Sequence, residues 1–143
     1  MLASAVALIL VATTPSATEP VPTPQQLTTQ EQGAAQQAAR DWVALIDGGR
    51  WELSWQRAGA VFQQAVTADA WASQVKPVRS PLGAVATRTV RDVTARSELP
   101  GAPAGSYRIV QFNTKFAAAP NAVETVVLVD EGGEWKVVGY FIK

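Results

Sequence analysis

Histidine and cysteine are both missing from this chain of 143 residues. Without histidine, the protein lacks the commonest general base and the commonest ligand for transition metals. Without cysteine, it forms no disulfide, has no thiolate nucleophile and cannot carry a lipid anchor on a cysteine. Carboxylates, arginines, tyrosines and tryptophans are therefore the groups left to carry a function.

The formal net charge is zero, because twelve Lys and Arg residues balance twelve Asp and Glu residues. A neutral chain without a basic block has no electrostatic basis for binding nucleic acid. The glycine pairs fit no phosphate-binding loop and the carboxylates lack metal-ligand spacing, so neither a cofactor nor a metal is expected. Hydrophobic residues make up 48% of the chain, which is enough for the core of one domain.

Residues 1–17 have the character of a secretory signal peptide, with an apolar run too short to cross a bilayer. No basic residue precedes the run and Pro15 disturbs the expected cleavage site, so an uncleaved apolar leader is the alternative. Residues 18–27 contain three prolines and predict an extended linker. A single domain is expected over residues 28–143, without stable membrane insertion once the leader is removed.

Three helices are predicted in the first half of this domain. Thr28 and Glu31 form a potential capping box for a helix that extends to about Ile46 and stops at Gly48-Gly49. A short second helix is predicted by apolar residues at helical spacing, namely Trp51, Trp55, Ala58 and Phe62. A third helix should begin near Thr67, carry Trp71 and Val75 on one side, and end before Pro77.

Four consecutive strands follow, and their short connections predict an antiparallel meander. Alternating residues indicate strands over 84–96 and 106–117, and Asn121 to Lys143 reads as a hairpin around Asp130-Glu131-Gly132-Gly133. Helices packed on one face of such a sheet give an α+β domain. A sheet that twists and curls around its helices would form a cone with a cavity near its open end.

The hairpin also predicts a register. If Val129 and Glu134 flank a four-residue loop, Glu124 faces Gly139 and Ala122 faces Phe141. The same register pairs Leu128 with Trp135 and Val126 with Val137. It places Glu124 and Phe141 on the apolar face of the sheet and Tyr140 on the opposite, mixed face.

An ordered set of residues resembles a bacterial family of unknown function, number 4019. The set comprises Trp51, Trp55, Trp71, Arg79, Pro81-Leu82-Gly83, Arg88, Leu99-Pro100-Gly101, Tyr107, Glu124, Trp135-Lys136-Val137 and Gly139-Tyr140-Phe141-Ile142. The resemblance extends from Gln36 to Ile142. It implies a cone similar to nuclear transport factor 2 or the cystatins, and a periplasmic or secreted location. It assigns no catalytic residue.

Glu124, Arg79 and Arg88 are the first candidates for a ligand site. A carboxylate on the apolar face should be paired, since burying an isolated charge is costly. Glu124 could hold a ligand, or it could bind Arg79 or Arg88 and fix the Pro81-Leu82-Gly83 turn to the sheet. The two arginines could bind a carboxylate or phosphate. Alternatively, they could cap helix-end carbonyls and pair with Glu124 or Asp92.

Trp55, Trp71 and Tyr107 are the remaining candidates. The tryptophans could line an apolar ligand pocket, although the helical spacing of Trp51, Trp55 and Phe62 is more simply that of a core face. Tyr107 or Tyr140 beside an acid would resemble the acid-and-phenol pairs of some cone-fold isomerases.

Three functions follow as hypotheses. The first is an exported, non-enzymatic domain that binds a small apolar or amphipathic ligand, or a partner protein, in the cell envelope. The second is an accessory interaction domain with a filled core. The third is a histidine-free acid–base enzyme.

Overall fold

The computed structural model describes the backbone of residues 24–143 and the side chains from residue 29 onward. The predicted signal peptide, and the linker before residue 24, lie outside this range. The elements in chain order are α1 (Pro24–Asp47), α2 (Trp51–Gln56), α3 (Ala60–Ala65), α4 (Ala68–Arg79), a 3₁₀ turn (Ser80–Leu82), β1 (Val85–Arg96), β2 (Tyr107–Phe116), β3 (Ala122–Glu131) and β4 (Glu134–Ile142).

The strands form one antiparallel sheet in the order β1-β2-β3-β4, as the meander prediction requires. The helices precede the sheet and pack against its inner face, so the α+β class is confirmed. On that face Val110, Phe112 and Phe116 of β2 are buried. Among the described helices, none is long and apolar enough to cross a membrane.

Helix α1 begins at Pro24, so the predicted start at Thr28 is wrong. The last four residues of the predicted linker belong to the helix, and Thr28 lies inside it rather than at its N-cap. Glu31 has a tertiary partner instead: its Oε2 lies 2.6 Å from Nη2 of Arg108, which is buried on β2. The first turns of α1 are thereby attached to the sheet.

The predicted second helix is two helices, because the chain touches β4 between them. Gly59 donates its N–H to the Val137 carbonyl at 2.7 Å. A Cβ at Gly59 would lie 2.6 Å from Glu131 Oε2 and 2.9 Å from Val138 Cγ1. This close approach fixes an extended residue at position 59 and separates α2 from α3.

Helix α4 starts where the sequence predicts, with the Thr67 side chain accepting a hydrogen bond from the Ala70 N–H at 3.2 Å. Its predicted end before Pro77 is wrong, because the helix continues to Arg79. Pro77 and Ser73, four residues earlier, are both exposed. The Ser73 carbonyl that Pro77 cannot serve therefore lies near solvent, where it can be hydrated.

The β3–β4 hairpin forms, but its predicted register is wrong. Gly132 and Gly133 both have positive φ and make a two-residue turn, so Glu131 pairs with Glu134. A bulge follows opposite Val127 and Leu128 and changes the face on which the rest of β4 points. Glu124 is inward, as predicted, but it pairs with Ile142.

The bulge corrects two further predictions. Tyr140, expected on the mixed outer face, is buried in the core opposite Val126. Phe141, expected on the apolar inner face, is outward and 59% exposed. The ring of Phe141 instead lies close to Gly139 on the outer face.

Candidate functional site

Glu124 is fully buried, and three side chains bind its carboxylate. Arg88 Nε donates to Oε1 at 2.7 Å, and the Thr114 hydroxyl donates to the same oxygen at 2.5 Å. The Tyr140 hydroxyl donates to Oε2. Each of the four strands contributes one residue to this network, because the side chains at positions 88, 114, 124 and 140 all point to the inner face of the sheet. The expected pairing of Glu124 with an arginine is present, and the partner is Arg88.

Asp47 extends this network to the end of α1. Its two oxygens accept hydrogen bonds from Arg88 Nη1 at 2.7 Å and Nη2 at 3.0 Å. Arg79 Nη2 lies 3.1 Å from Asp47 Oδ1, and Arg79 Nη1 donates to the Gly83 carbonyl at 2.6 Å. Two guanidinium groups therefore face two carboxylates, and the formal charges cancel.

The two arginines make some of the structural contacts that the sequence analysis offered as the alternative to ligand binding. Arg79 binds the turn carbonyl and stacks on Phe116, with 4.6 Å between the guanidinium carbon and the ring centroid. It does not bind Glu124. Asp92 accepts from Thr94 rather than from either arginine. Together these contacts join the C-termini of α1 and α4 to strands β1 and β3.

The pKa values of Tyr140 and Arg88 in this network are both raised, which favours the protonated form of each group. Burial raises the pKa of Tyr140 well above its ordinary value, and the neighbouring Glu124 charge adds to the effect. Burial alone would lower the pKa of Arg88, but its hydrogen bonds to Asp47 and Glu124 raise that pKa above the ordinary value. A neutral phenol and a charged guanidinium are therefore both held in place at neutral pH.

Trp71 and Trp55 belong to the helical side of the core. Trp71 is buried and contacts Phe62 edge-on, with ring centroids 4.9 Å apart. Its Nε1 donates to Ser54 Oγ at 2.9 Å, and Trp55 Nε1 donates to the Val66 carbonyl at 2.7 Å. These indoles fill space and satisfy their polar atoms within the protein.

Tyr107 lies on the opposite face of the sheet from Glu124. It is buried beneath the β1–β2 loop, where its hydroxyl donates to the Pro103 carbonyl. The six candidates therefore divide into three places: Glu124, Arg79 and Arg88 in one network, Trp55 and Trp71 among the helices, and Tyr107 beneath the loop. The phenol beside the buried acid is Tyr140.

Sequence reasoning missed Asp47, Thr114 and Ser54. Ser54 is fully buried and joins two indoles, since Trp42 Nε1 donates to its carbonyl at 2.8 Å while Trp71 donates to its hydroxyl. Its position between Trp51 and Trp55 gives a weak signal, because a small polar residue there faces the core. Asp47 has no comparable local signal.

The architecture defines a class of protein: an α+β domain whose N-terminal helices cover one face of a four-stranded antiparallel meander, with a buried ion-pair network at the junction. Within that class, residues 38–140 match the family model described as protein of unknown function (DUF4019). The match covers most of the chain, so the protein belongs to this family. A comparison with curated proteins finds no match.

Proposed function

We propose that this protein is a non-enzymatic binding module of the cell envelope with a filled interior, which meets its ligand or partner at its surface. The observation that carries the proposal is the saturation of Glu124. Its relative exposure is 0%, Oε1 accepts hydrogen bonds from Arg88 and Thr114, and Oε2 accepts one from Tyr140. A carboxylate held in this way has no oxygen turned toward a guest.

The aromatic residues support the same proposal. Trp42 contacts both Trp71 and Tyr140, with ring centroids 6.0 and 5.3 Å apart. The interior next to Glu124 is thus occupied by packed rings, which is typical of a core. This favours the filled-core hypothesis over a ligand cavity that Glu124 would serve.

A cone shape is part of the proposal. Two register shifts in the β1–β2 pairing and one in the β3–β4 pairing support it, because bulges increase the local twist of a sheet. Helices on one face only would then lie inside the curl. Export to the periplasm or the outside of a bacterial cell is proposed on the apolar residues 1–17 and the family resemblance.

The enzyme hypothesis has one structural argument in its favour, the phenol of Tyr140 on the carboxylate of Glu124. Two observations weigh against it. The carboxylate has an arginine partner, and neither group reaches solvent to an extent that would admit a substrate. An acid–base role requires a carboxyl group that can contact the reacting atoms.

Native mass spectrometry of the protein purified from its exported form tests the proposal. We expect either no small-molecule adduct or an adduct that persists in Glu124→Gln, because the ligand does not use the interior. The matched control is Glu134→Gln, at a side chain that is 73% exposed. An adduct present in the wild type and in the control but lost in Glu124→Gln would place the ligand in the interior and overturn the proposal.

A further inference from the structure

A groove of about 370 Å³ lies between α1, α2 and β4. Three half-buried apolar side chains converge in it from these three elements: Leu45, Leu53 and Trp135. Trp42 and Val137, both almost fully buried, lie beneath them. The groove therefore presents apolar surface that connects directly with the core.

The charges around the groove are unbalanced. Its lining contains three cations, Arg50, Arg57 and Lys136, and one carboxylate, Asp41. Lys136 is paired with the exposed Glu134 at 3.2 Å, and Asp41 accepts from the Gln37 amide at 2.8 Å. In the part of the chain whose side chains are described, Arg50 and Arg57 form neither a side-chain hydrogen bond nor a salt bridge.

The size of the groove selects the kind of occupant. Pockets for small molecules measure roughly 300–1,000 Å³ and combine an apolar lining with a few polar groups. This groove falls at the lower end of that range, where one extended alkyl chain fits better than a folded partner. The apolar floor would bury the chain, and the two unpaired arginines would bind an anionic head.

We propose that the groove binds a single-chain anionic amphiphile, with its alkyl chain on Leu45, Leu53 and Trp135 and its head at Arg50 and Arg57. This inference rests on the proposed surface-binding function and names a site and a ligand class for it. Glu124 and its network take no part in this site.

Titration calorimetry and NMR with dodecanoate, below its micelle concentration, test the proposal. Dodecyl maltoside, with the same alkyl chain and a neutral head, is the matched probe. We expect dodecanoate to bind at least about tenfold more tightly, because two charge-assisted contacts to the head are lost with maltoside. The indole N–H signal of Trp135 should shift on binding.

The variant Arg50→Gln/Arg57→Gln should weaken dodecanoate binding by about tenfold, and added salt should reduce the difference from wild type. Arg91→Gln/Arg96→Gln removes the same charge from exposed positions of β1 and should bind as wild type does. Because all four arginines are exposed, folding should be preserved, and circular dichroism checks this.

Equal binding of the two amphiphiles, equal loss in both arginine variants, or shifts that avoid Trp135 would overturn the groove proposal. None of these results would affect the filled-interior proposal, which depends on Glu124 variants. Conversely, an adduct that requires Glu124 would overturn the filled-interior proposal while groove binding by dodecanoate remained measurable.

Discussion

Replacement of Glu124 by alanine should cost more stability than any surface substitution in this protein. Removing one partner of a buried ion pair typically costs about 3–5 kcal/mol. Arg88 keeps two hydrogen bonds to Asp47, which reduces the loss. The hydroxyls of Thr114 and Tyr140 lose their acceptor, and each unsatisfied buried group costs about 1–3 kcal/mol. The remaining loss at Arg88 and the two hydroxyls without an acceptor together give an expected cost of at least about 3 kcal/mol.

Urea unfolding at neutral pH, followed by tryptophan fluorescence and circular dichroism, measures this loss. Glu134→Ala is the control, since its surface pair with Lys136 should contribute less than about 1 kcal/mol. Glu124→Ala within about 0.5 kcal/mol of that control would refute the reasoning.

A double substitution separates the cost of leaving a charge unpaired from the contribution of the ion pair itself. Glu124→Leu with Arg88→Met removes both charges of the pair, and Asp47 keeps Arg79 as its partner. Buried ion pairs replaced by apolar residues are often neutral in stability. The double variant should therefore be more stable than Glu124→Ala. A larger loss in the double variant would mean that the pair itself, rather than the unpaired charge, accounts for the effect.

Other predictions concern pH and close packing. Burial raises the pKa of Tyr140 above its ordinary value. The neutral phenol therefore makes its full contribution to the free energy of unfolding below about pH 10. Above that pH the contribution declines, by at most about 1.4 kcal/mol per pH unit. Tyr140→Phe should remove that decline in urea unfolding series at alkaline pH; an unchanged slope would contradict it. Gly59→Ala should destabilise by about 1–3 kcal/mol because its Cβ would overlap Val138. Gly33→Ala, an exposed helical position with open space, should stabilise by about 0.5–1 kcal/mol in the same assay.

The order of elements could be predicted because each depends on a local pattern. Alternation defined the strands, and Gly132-Gly133 located the hairpin turn. The exact register of the strand pairs depends on contacts with parts of the chain outside the sheet. The bulge of β4 lies beside Gly59, whose N–H binds the Val137 carbonyl, and this contact joins residues 78 positions apart in a way that no strand pattern contains. For this reason the predicted register placed Tyr140 and Phe141 on the wrong faces of the sheet.

The candidate site could likewise be predicted only in part. An acid among apolar residues of a strand needs a cation, so the pairing of Glu124 with an arginine followed from the sequence. The choice of Arg88 depends on its position opposite Thr114, which lies diagonally across from Glu124 on the same face of the sheet. Asp47 could not be found, because an acid at the end of an amphipathic helix is ordinarily solvated. Only the folded chain brings it to two arginines.

The attachment of Glu31 to Arg108 has a consequence for where this domain can be shortened. The family match begins at residue 38, yet Arg108, within the match, is 94% buried with Glu31 as its carboxylate partner. Arg108 also stacks on Trp135 at 5.0 Å, and its Nε has no hydrogen-bond partner among the described residues. A chain cut at residue 38 would remove the helical turns that carry Glu31, the carboxylate partner of this buried guanidinium. The contacts that hold α1 on the sheet therefore begin about two helical turns before the segment matched by the family model.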